Sequence, residues 1–356
     1  MELELQSILS NFKLDGRVIS CEPYGEGHIN ETKLVVSSTG KRYILQKISD
    51  AAFPDIEGLM SNITRVCKHI EKKTTDPRAS MHIVATKDGD SWIRANSGAW
   101  RVYDFVENTV CLQSAANIAD FVQSAIGFGK FQNYLSDFPA DTLNETIKNF
   151  HNTKDRYRIF DEILAKNSMG RADAVQREID FVLEKRQEMG TLQSMRETGF
   201  LPVRVTHNDT KLNNVLLDEK THEAVCVIDL DTVMPGLAAY DFGDSIRFGA
   251  ATAAEDEKDL DKMTIDLGRY EAFANAFVNE CKALTKDEIL SFPLGAKIMT
   301  MECGVRFLYD YLDGDRYFGI HYPTHNLDRA RTQFKLVSEM DKNWDKMRMI
   351  IEKSAK

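Results

Sequence analysis

The sequence contains no long hydrophobic run and no closely spaced pair of cysteines. Among its 356 residues, no apolar stretch approaches the roughly 20 residues that an α-helix needs to cross a bilayer, so we expect no integral membrane protein. The start, Met-Glu-Leu-Glu-Leu-Gln, is acidic and lacks a basic segment followed by an apolar one, which argues against a secretory signal. The six cysteines include no CxxC pair, the spacing typical of zinc ribbons and thioredoxin-like redox sites. We therefore expect a cytoplasmic protein whose cysteines are reduced thiols.

The chain also lacks an excess of basic residues. Aspartate and glutamate number 55 against 45 lysines and arginines, which gives a formal net charge of −10. A negative net charge disfavours broad contact with the phosphate backbone of a nucleic acid, although it is compatible with a local basic pocket. Hydrophobic residues make up 43% and charged residues 28%, as in ordinary globular proteins. The composition therefore favours a globular protein without a nucleic-acid partner.

The first hundred residues have the pattern of a small sheet. Short runs bounded by turn residues, at 17–24, 32–37 and 42–48, predict an antiparallel meander. Apolar residues at helical spacing predict a helix over 56–70. The apolar run 99–106 then predicts one further strong strand. These elements indicate a β-rich N-terminal lobe over residues 1–105.

From about residue 112 the pattern becomes helical. We predict helices over 115–135, 141–150, 171–196, 265–283, 295–312 and 326–352. A β-rich island interrupts them at 203–230. The sequence therefore predicts an α+β fold of two lobes, with a small antiparallel sheet followed by a larger, mainly helical lobe over residues 106–356.

The island carries a constellation of polar residues suited to phosphoryl transfer. Asp209 lies in a predicted loop, Asn214 follows five residues later, and Asp229 ends the next strand. Phosphoryl transfer requires a carboxylate that orients or deprotonates the attacking hydroxyl, and oxygen ligands that hold Mg²⁺ against the phosphates. The bland alternative is a set of polar turn residues that cap a β-hairpin. Zinc bound by His207 and Asp209 is less favoured, because no second histidine lies nearby at ligand spacing.

This constellation resembles the Brenner motif and metal-binding aspartate of the aminoglycoside phosphotransferase and choline kinase superfamily, which has a protein-kinase-like fold. Within it, nearly the whole chain resembles the N-acetylhexosamine 1-kinases. The resemblance is carried by residues 23–30 (PYGEGHIN), 43–46 (YILQ), 99–103 (AWRVY), 205–214 (VTHNDTKLNN), 241–249 (DFGDSIRFG) and 301–304 (MECG). It implies that ATP, with Mg²⁺, phosphorylates the anomeric hydroxyl of N-acetylglucosamine or N-acetylgalactosamine. It also implies small-molecule partners only, with no membrane partner, and we expect a monomer.

The resemblance assigns roles around the phosphoryl group. Asp209 is implied to be the catalytic base, or the group that orients the sugar hydroxyl. Asn214 and Asp229 are the expected Mg²⁺ ligands, and Asp231 either joins them or merely ends the strand. His207 and Asp241 are expected to hold the catalytic loop by hydrogen bonds, without reacting.

The nucleotide site is predicted at the N-terminal lobe. Gly25 and Gly27 are expected to cover the phosphates, although a hairpin turn would also explain them. Gln46 stands where related kinases have the strand lysine that binds phosphate, so either Gln46 contacts phosphate without charge or another cation replaces the lysine. Adenine is expected at the backbone of Phe105, Val106 and Glu107, where the two lobes join.

The remaining candidates are expected to contact the sugar. These are His28, Asn208, Asp209, Arg247, Phe248, Arg306 and Tyr317. Glu302, Arg306 and Asp310 share the spacing of a solvated salt-bridge ladder, so Arg306 belongs either to such a ladder or to the sugar site. Two other functions stay open: a kinase of another small alcohol, such as choline, an aminoglycoside or homoserine, and an ATP-binding scaffold without catalysis.

Overall fold

The N-terminal lobe is a sheet flanked by two helices. The computed structural model describes residues 3–25 and 29–356. In chain order, the lobe contains α1 (Leu3–Ser10), β1 (Val18–Pro23), β2 (Glu31–Ser37), β3 (Arg42–Ile48), α2 (Ile56–Glu71), β4 (Ile93–Ala95) and β5 (Gly98–Asp104). All neighbouring strands pair antiparallel, in the spatial order β1-β2-β3-β5-β4. In this sheet Gln46 of β3 lies directly opposite Arg101 of β5.

The rest of the chain forms the mainly helical lobe. Its elements are β6 (Thr109–Cys111), α3 (Ile118–Tyr134), α4 (Thr153–Lys166), α5 (Gln176–Met189), α6 (Thr191–Glu197), β7 (Arg204–Thr206), β8 (Val215–Asp218), β9 (Ala224–Val227), β10 (Met234–Gly236), α7 (Ala238–Gly249), α8 (Leu267–Glu280), α9 (Lys286–Leu290), α10 (Phe292–Leu312), α11 (His325–Lys342) and α12 (Trp344–Ser354). Strands β6, β8 and β9 form one small sheet, and β7 pairs with β10. The predicted α+β arrangement of a small antiparallel sheet and a larger helical region is confirmed.

Helix α2 belongs to the first lobe but is fastened to the second. The Asp55 carboxylate caps its start by accepting a hydrogen bond from the Gly58 N–H. The buried Asn62 amide donates to the carbonyl oxygens of Asn144, at 2.8 Å, and Val233, at 3.1 Å. These bonds hold α2 against the loop that follows β9.

Helices α7 and α10 pack at the centre of the helical lobe, where a glycine lets their backbones approach. A Cβ atom at Gly243 would lie 2.3 Å from the Gly295 carbonyl oxygen, so no side chain fits there. Helix α10 is buried along most of its length. This close packing fixes α7, whose first two turns carry Asp241 and Asp244.

Several predicted helices were wrong in extent. No helix covers 141–150, where the chain makes a short 3₁₀ turn (Ala140–Thr142) before the unpredicted α4. The predicted helices over 171–196 and 326–352 each contain a break, at Gly190 and Asn343. Helices α1 and α7 were missed. In the part of the chain that the structure describes, no helix has the length and apolar character to traverse a bilayer.

Candidate active site

Hydrogen bonds to Asp241 hold the loop between β7 and β8 in place. This fully buried carboxylate accepts hydrogen bonds from the backbone N–H groups of His207, at 2.9 Å, and Asn208, at 2.8 Å. The Gln132 side chain donates a third bond at 2.6 Å. Burial raises the pKa of Asp241, while these donors oppose the rise. Asp241 therefore occupies the loop-holding position expected from the sequence.

His207 and Asn208 connect this loop to the segment after β9. His207 Nε2 lies 2.9 Å from the Ile228 carbonyl oxygen, and its Nδ1 accepts from the Asp209 N–H at 3.3 Å, as in a neutral imidazole with its proton on Nε2. The buried Asn208 amide donates to the Thr232 carbonyl oxygen at 2.8 Å. The structure thus places His207 in a bridging role, and it places Asn208, a predicted sugar contact, in the same framework.

Asp209 projects from the fastened loop with its carboxylate accessible. Lys211 Nζ lies 3.0 Å from Oδ1, and the Asn214 amide donates to Oδ2 at 3.2 Å and to the Asp209 carbonyl oxygen at 2.8 Å. Burial alone would lower the pKa of Lys211, but Asp209 and Asp244 raise it, so the ammonium stays charged. The amide and the ammonium therefore fix the orientation of the Asp209 carboxylate.

Asn214 and Asp229 have the oxygen atoms that a divalent cation needs. The Asn214 amide nitrogen is used by Asp209, and no described donor reaches its Oδ1. Asp229 has a left-handed backbone, with φ of +58°, and no described residue donates to its carboxylate. Desolvation by the surrounding protein and the negative charges of Asp231 and Asp209 raise the pKa of Asp229 to about 6. A bound cation would offset the repulsion between these carboxylates.

This donor set fits magnesium better than a metal held wholly by protein. Over the described ranges, no group of three or more His, Cys, Asp and Glu residues is placed to hold a metal ion. Magnesium usually takes one or two carboxylates and keeps water and substrate phosphate oxygens as its other ligands. One carboxylate and one amide oxygen therefore suit an ion that arrives with a nucleotide.

Asp231, the third predicted ligand, points toward the N-terminal lobe. Its Oδ1 lies 2.6 Å from Arg101 Nη1, and its Oδ2 accepts a hydrogen bond from the Asn30 amide at 2.5 Å. The Arg101 guanidinium is 1% exposed, and its Nε and Nη2 both donate to Gln46 Oε1, at 3.0 and 2.9 Å. Burial alone would lower the pKa of Arg101, but Asp231 raises it. Gln46 thus holds another cation.

The glycine loop is only partly described. Gly25 has a φ of +76°, a conformation that a glycine adopts without strain, whereas the predicted Gly27 and His28 lie outside the described residues. Beyond them, Asn30 connects the loop to both lobes: it donates to Asp231 and accepts from the Ser49 N–H at 3.0 Å.

The lobe junction combines an aromatic ring with backbone polar groups. The Arg42 guanidinium lies 4.1 Å from the centre of the Phe105 ring and pairs with Glu107. The Thr109 hydroxyl donates to the Val106 carbonyl oxygen at 2.8 Å. Among the described residues, nothing accepts from the Val106 N–H. The junction therefore presents a free donor beside an aromatic ring, as recognition of adenine requires.

Arg247 and Phe248 lie at the opposite wall, but Arg247 is already paired. Its guanidinium lies 2.9 Å from Asp244 Oδ1 and 2.8 Å from Glu255 Oε1. Burial alone would raise the pKa of Asp244, but Arg247 and Lys211 hold it below its usual range. The partly exposed Phe248 ring has Arg247 at 3.9 Å on one side and Lys211 at 5.4 Å. Arg247 therefore shapes the wall, whereas Phe248 offers a ring to a ligand.

Glu302, Arg306 and Asp310 do not form a salt-bridge ladder. Glu302 is buried and faces His151 Nδ1 at 3.0 Å, and the other ring nitrogen of His151 lies 3.3 Å from the Asn208 carbonyl oxygen. Burial alone would raise the pKa of Glu302, but His151 lowers it. No described donor reaches Glu302 Oε2. This chain of contacts joins α10 to the catalytic loop.

Asp310 organises the loop after α10. Its carboxylate accepts from the backbone N–H groups of Arg316, Tyr317 and Phe318, at 3.0, 2.9 and 3.0 Å. Asn326 donates to the same carboxylate at 3.0 Å. The loop consequently presents the Tyr317 ring, which is 70% exposed.

Arg306 lies one helical turn from Glu302, among aromatic rings. Its guanidinium is 5.6 Å from the centre of Phe150, 5.7 Å from that of Tyr317 and 5.3 Å from that of Phe318. No described carboxylate lies within 4.0 Å of it. Arg306 therefore forms no ion pair among the described residues, and its guanidinium donors face aromatic rings.

Sequence reasoning missed Arg101 and His151 as members of the site. Arg101 had one available signal, since it is a charged residue inside an apolar strand. His151 had none, because its partners lie far away in the sequence. The structure thus places Asp209, Lys211 and Asn214 in contact with one another, and it places Arg306 among three aromatic rings.

Comparison with known proteins identifies the family. The model of the phosphotransferase enzyme family matches residues 20–273. The chain belongs to this family. The match includes most of the N-terminal sheet, the loop that carries Asp209 and both metal-ligand candidates of the phosphotransferase, and it ends within α8.

Solved structures share the architecture of the phosphotransferase along nearly its whole length. An aminoglycoside phosphotransferase from Alicyclobacillus acidocaldarius superposes with a TM-score of 0.62 at 15% identity, covering 99% of this chain and 98% of that one. A choline/ethanolamine kinase family protein from Mesorhizobium loti gives 0.58 at 14% identity, with 97% and 98% covered. An amicoumacin kinase in complex with AMP-PNP and Ca²⁺ gives 0.60 at 12% identity, with 96% and 93% covered. The protein-kinase-like fold is therefore confirmed.

Proposed function

We propose that the phosphotransferase is an ATP-dependent kinase that phosphorylates the anomeric 1-hydroxyl of N-acetylhexosamines. The products would be ADP and N-acetylglucosamine or N-acetylgalactosamine 1-phosphate. The observation that supports it best is Arg306, whose guanidinium has no carboxylate partner among the described residues and lies among three aromatic rings. The choice of sugar rests on the sequence resemblance, because the solved kinases that share this fold are named for chemically different acceptors.

Asp209 is the proposed catalytic residue. It accepts a hydrogen bond from the 1-hydroxyl and takes its proton as the oxygen attacks the γ-phosphorus of ATP, whose bond to the ADP oxygen breaks. An anomeric hydroxyl is more acidic than an ordinary alcohol, so the orientation of Asp209 matters more than its basicity. Lys211, 3.0 Å from Asp209 Oδ1, orients the carboxylate and would place a positive charge near the transferred group.

Asn214 and Asp229 would hold Mg²⁺ through oxygen atoms. The ion neutralises phosphate charge when it is bound. This chain contributes the fixed orientation of those oxygens: the Asn214 amide is turned by its two bonds to Asp209, and Asp229 follows a residue bonded to His207. Adenine would accept from the Val106 N–H, with Phe105 and Glu107 beside it and the Gly25 loop above the phosphates.

Charge favours a neutral acceptor over a cationic one. Choline and aminoglycosides carry positive charge, and proteins receive such groups with carboxylates or electron-rich aromatic faces. Here the rings of Phe150, Tyr317 and Phe318 already surround a guanidinium. Sugar hydroxyls and an acetamido carbonyl would accept from Arg306, while Tyr317 and Phe248 would pack on the sugar ring. His28, from the loop outside the described residues, is a further proposed sugar contact.

A kinase of another small alcohol remains the second candidate, because kinases with this fold act on choline, ethanolamine and aminoglycosides by name. A scaffold without catalysis is less consistent with the site, because Asp209, Asn214 and Asp229 are all present and mutually arranged.

An acceptor panel distinguishes these functions. We expect Mg²⁺-dependent release of ADP from ATP with N-acetylglucosamine or N-acetylgalactosamine, and much less with glucose, choline or kanamycin. The same assay without acceptor corrects for hydrolysis. Turnover of choline equal to or better than that of both N-acetylhexosamines would refute the proposed substrate.

A further inference from the structure

Two residues of the N-terminal lobe contact one carboxylate of the helical lobe, and a third orients one of the two. Asp231 receives Arg101 from β5 on Oδ1 and Asn30 from the end of the glycine loop on Oδ2. Gln46 of β3 does not touch Asp231, but it holds Arg101 through two N–H groups. Both side chains of the ion pair are almost fully buried. A buried ion pair therefore joins the sheet to the segment after β9.

The identity of residue 46 follows from this ion pair. Gln46 and Arg101 are directly opposed on neighbouring strands, so their side chains share one face of the sheet. A lysine at residue 46 would place a second positive charge against the buried guanidinium, for which Asp231 is the carboxylate partner among the described residues. An amide is neutral, and its oxygen accepts from Arg101 Nε and Nη2, while Nη1 faces Asp231. A glutamine at residue 46 is therefore compatible with a buried arginine at residue 101, whereas a lysine at residue 46 would repel it.

Helix α2 supplies no carboxylate to this arrangement. Glu57, in its first turn, is exposed and has no ion-pair partner among the residues that the structure describes. The helix contributes only the Met60 sulfur, 3.8 Å from Arg101 Nη1. Asn62 fastens α2 to the helical lobe. The helix that contacts Arg101 through Met60 is therefore itself fixed to that lobe.

Asp229 is bracketed by two attachments. One residue before it, the Ile228 carbonyl oxygen is bonded to His207, and two residues after it Asp231 is paired with Arg101. Asp229 itself has a left-handed backbone that a non-glycine residue keeps only when its surroundings impose it. Loss of either attachment would allow the Asp229 carboxylate to change its orientation.

We propose that the Arg101–Asp231 ion pair takes the place of the missing strand lysine by positioning Asp229, and that Asp231 is a positioning residue and not a metal ligand. The inference rests on the proposed function only in taking Asp229 as the ligand of a nucleotide-bound cation. Arg101 acts through Asp231, and Gln46 orients Arg101. Both oxygens of Asp231 already face donors of the N-terminal lobe, as expected of a residue that positions its neighbour.

The first test measures the pair without metal, nucleotide or acceptor. Thermal unfolding of the full chain in EDTA is compared for wild type, Arg101→Gln, Asp231→Asn and the double variant. Each single change leaves a buried charge unpaired, whereas the double change removes both. We expect the double variant to unfold at a higher temperature than the less stable single variant, and a double variant that folds when a single one does not counts as the same rescue. Additive losses would overturn the proposal.

The second test measures nucleotide binding by calorimetry with AMP-PNP, in Mg²⁺ and in EDTA. We expect each single variant to lose about tenfold in affinity in Mg²⁺, the double variant to lose no more than that, and all to bind equally in EDTA. Glu288→Gln is the control, because the Glu288 side chain is as buried as that of Asp231 and its partner Arg204 lies outside the proposed metal-binding segment. It should keep wild-type affinity.

Two outcomes separate failure of the inference from failure of the function. If Asp231→Asn loses all Mg²⁺ dependence, as Asp229→Asn should, while Arg101→Gln keeps it, then Asp231 is a ligand and the inference is wrong. If wild-type protein binds AMP-PNP no better with Mg²⁺ than without it, the proposed kinase function is wrong and this inference falls with it.

Discussion

The two proposed walls of the site differ in how far their polar groups are satisfied within the protein. On the wall that would face the nucleotide and its metal ion, Asp241, His207, Asp231 and Arg101 all bond to protein partners, and each bond fixes a neighbour of Asp209 or Asp229. On the proposed acceptor wall, Arg306 has no carboxylate partner among the described residues, and Tyr317 projects into solvent. The first wall is therefore preorganised, whereas the polar groups of the second are left for a ligand to satisfy.

The largest effect is expected at the preorganised wall. Asp209→Asn keeps the size of the side chain and removes the proton acceptor, so kcat should fall by about 10²–10⁴-fold. Nucleotide affinity in Mg²⁺ should change little, because Asp209 is not a proposed metal ligand. Steady-state ADP release together with AMP-PNP calorimetry measures both quantities. Full activity in this variant would refute the assignment of Asp209.

The acceptor wall should respond in KM instead of kcat. Arg306→Met keeps the aliphatic stem among the rings and removes the charged donors, so the acceptor KM should rise about 10–100-fold, the worth of one or two hydrogen bonds to a charged group. The KM for ATP should stay within about twofold. Arg316→Met is the matched control, because Arg316 is exposed in the neighbouring loop. Equal effects of the two changes would show that Arg306 is not in the acceptor site.

A smaller effect is expected from Asp310, which holds the loop that carries Tyr317. Asp310→Asn leaves the backbone N–H groups of residues 316–318 without a full set of acceptors, which should lower the free energy of unfolding by about 1–3 kcal/mol. The same change should raise the acceptor KM severalfold by loosening Tyr317. Chemical denaturation and kinetics measure the two effects. Asp313→Asn, just after α10, should alter neither quantity. An unchanged acceptor KM in Asp310→Asn would show that the loop does not take part in acceptor recognition.

The smallest effect concerns the Tyr317 ring. Tyr317→Phe keeps the aromatic face and should change the acceptor KM by less than about twofold, whereas Tyr317→Ala should raise it by about three- to tenfold, as expected for loss of a stacking contact. Kinetics with saturating ATP measure both. A larger effect of the Phe variant than of the Ala variant would mean that the hydroxyl, and not the ring, makes the contact.

The parts of the site that were predictable from the sequence are those whose geometry is local. Asp209, Asn214 and Asp229 are separated by a loop and a hairpin, so their spacing alone brings them together. The bonds from Asp241 to the loop were expected from the family resemblance. Both cases depend on a short stretch of chain whose turns are set by residue type.

The rest depends on contacts between distant segments. The partner of Asp231 is Arg101, on a strand of the other lobe, and a charged residue in an apolar strand does not reveal which carboxylate it meets. The spacing of Glu302, Arg306 and Asp310 suits a ladder, but their partners are His151, a ring-lined pocket and a loop, all outside the helix. Likewise, the predicted helix over 141–150 has the right periodicity, yet residues there instead bind α2 through Asn144.

The position of the phosphate in the product tests the central claim most directly. Wild-type protein is incubated with ATP, Mg²⁺ and N-acetylglucosamine or N-acetylgalactosamine, and the product is examined by phosphorus–proton correlation NMR. We expect a phosphate coupled to the anomeric proton, formed by wild type and not by Asp209→Asn. A phosphate on another hydroxyl, or no sugar phosphate while choline or an aminoglycoside is phosphorylated, would contradict the account.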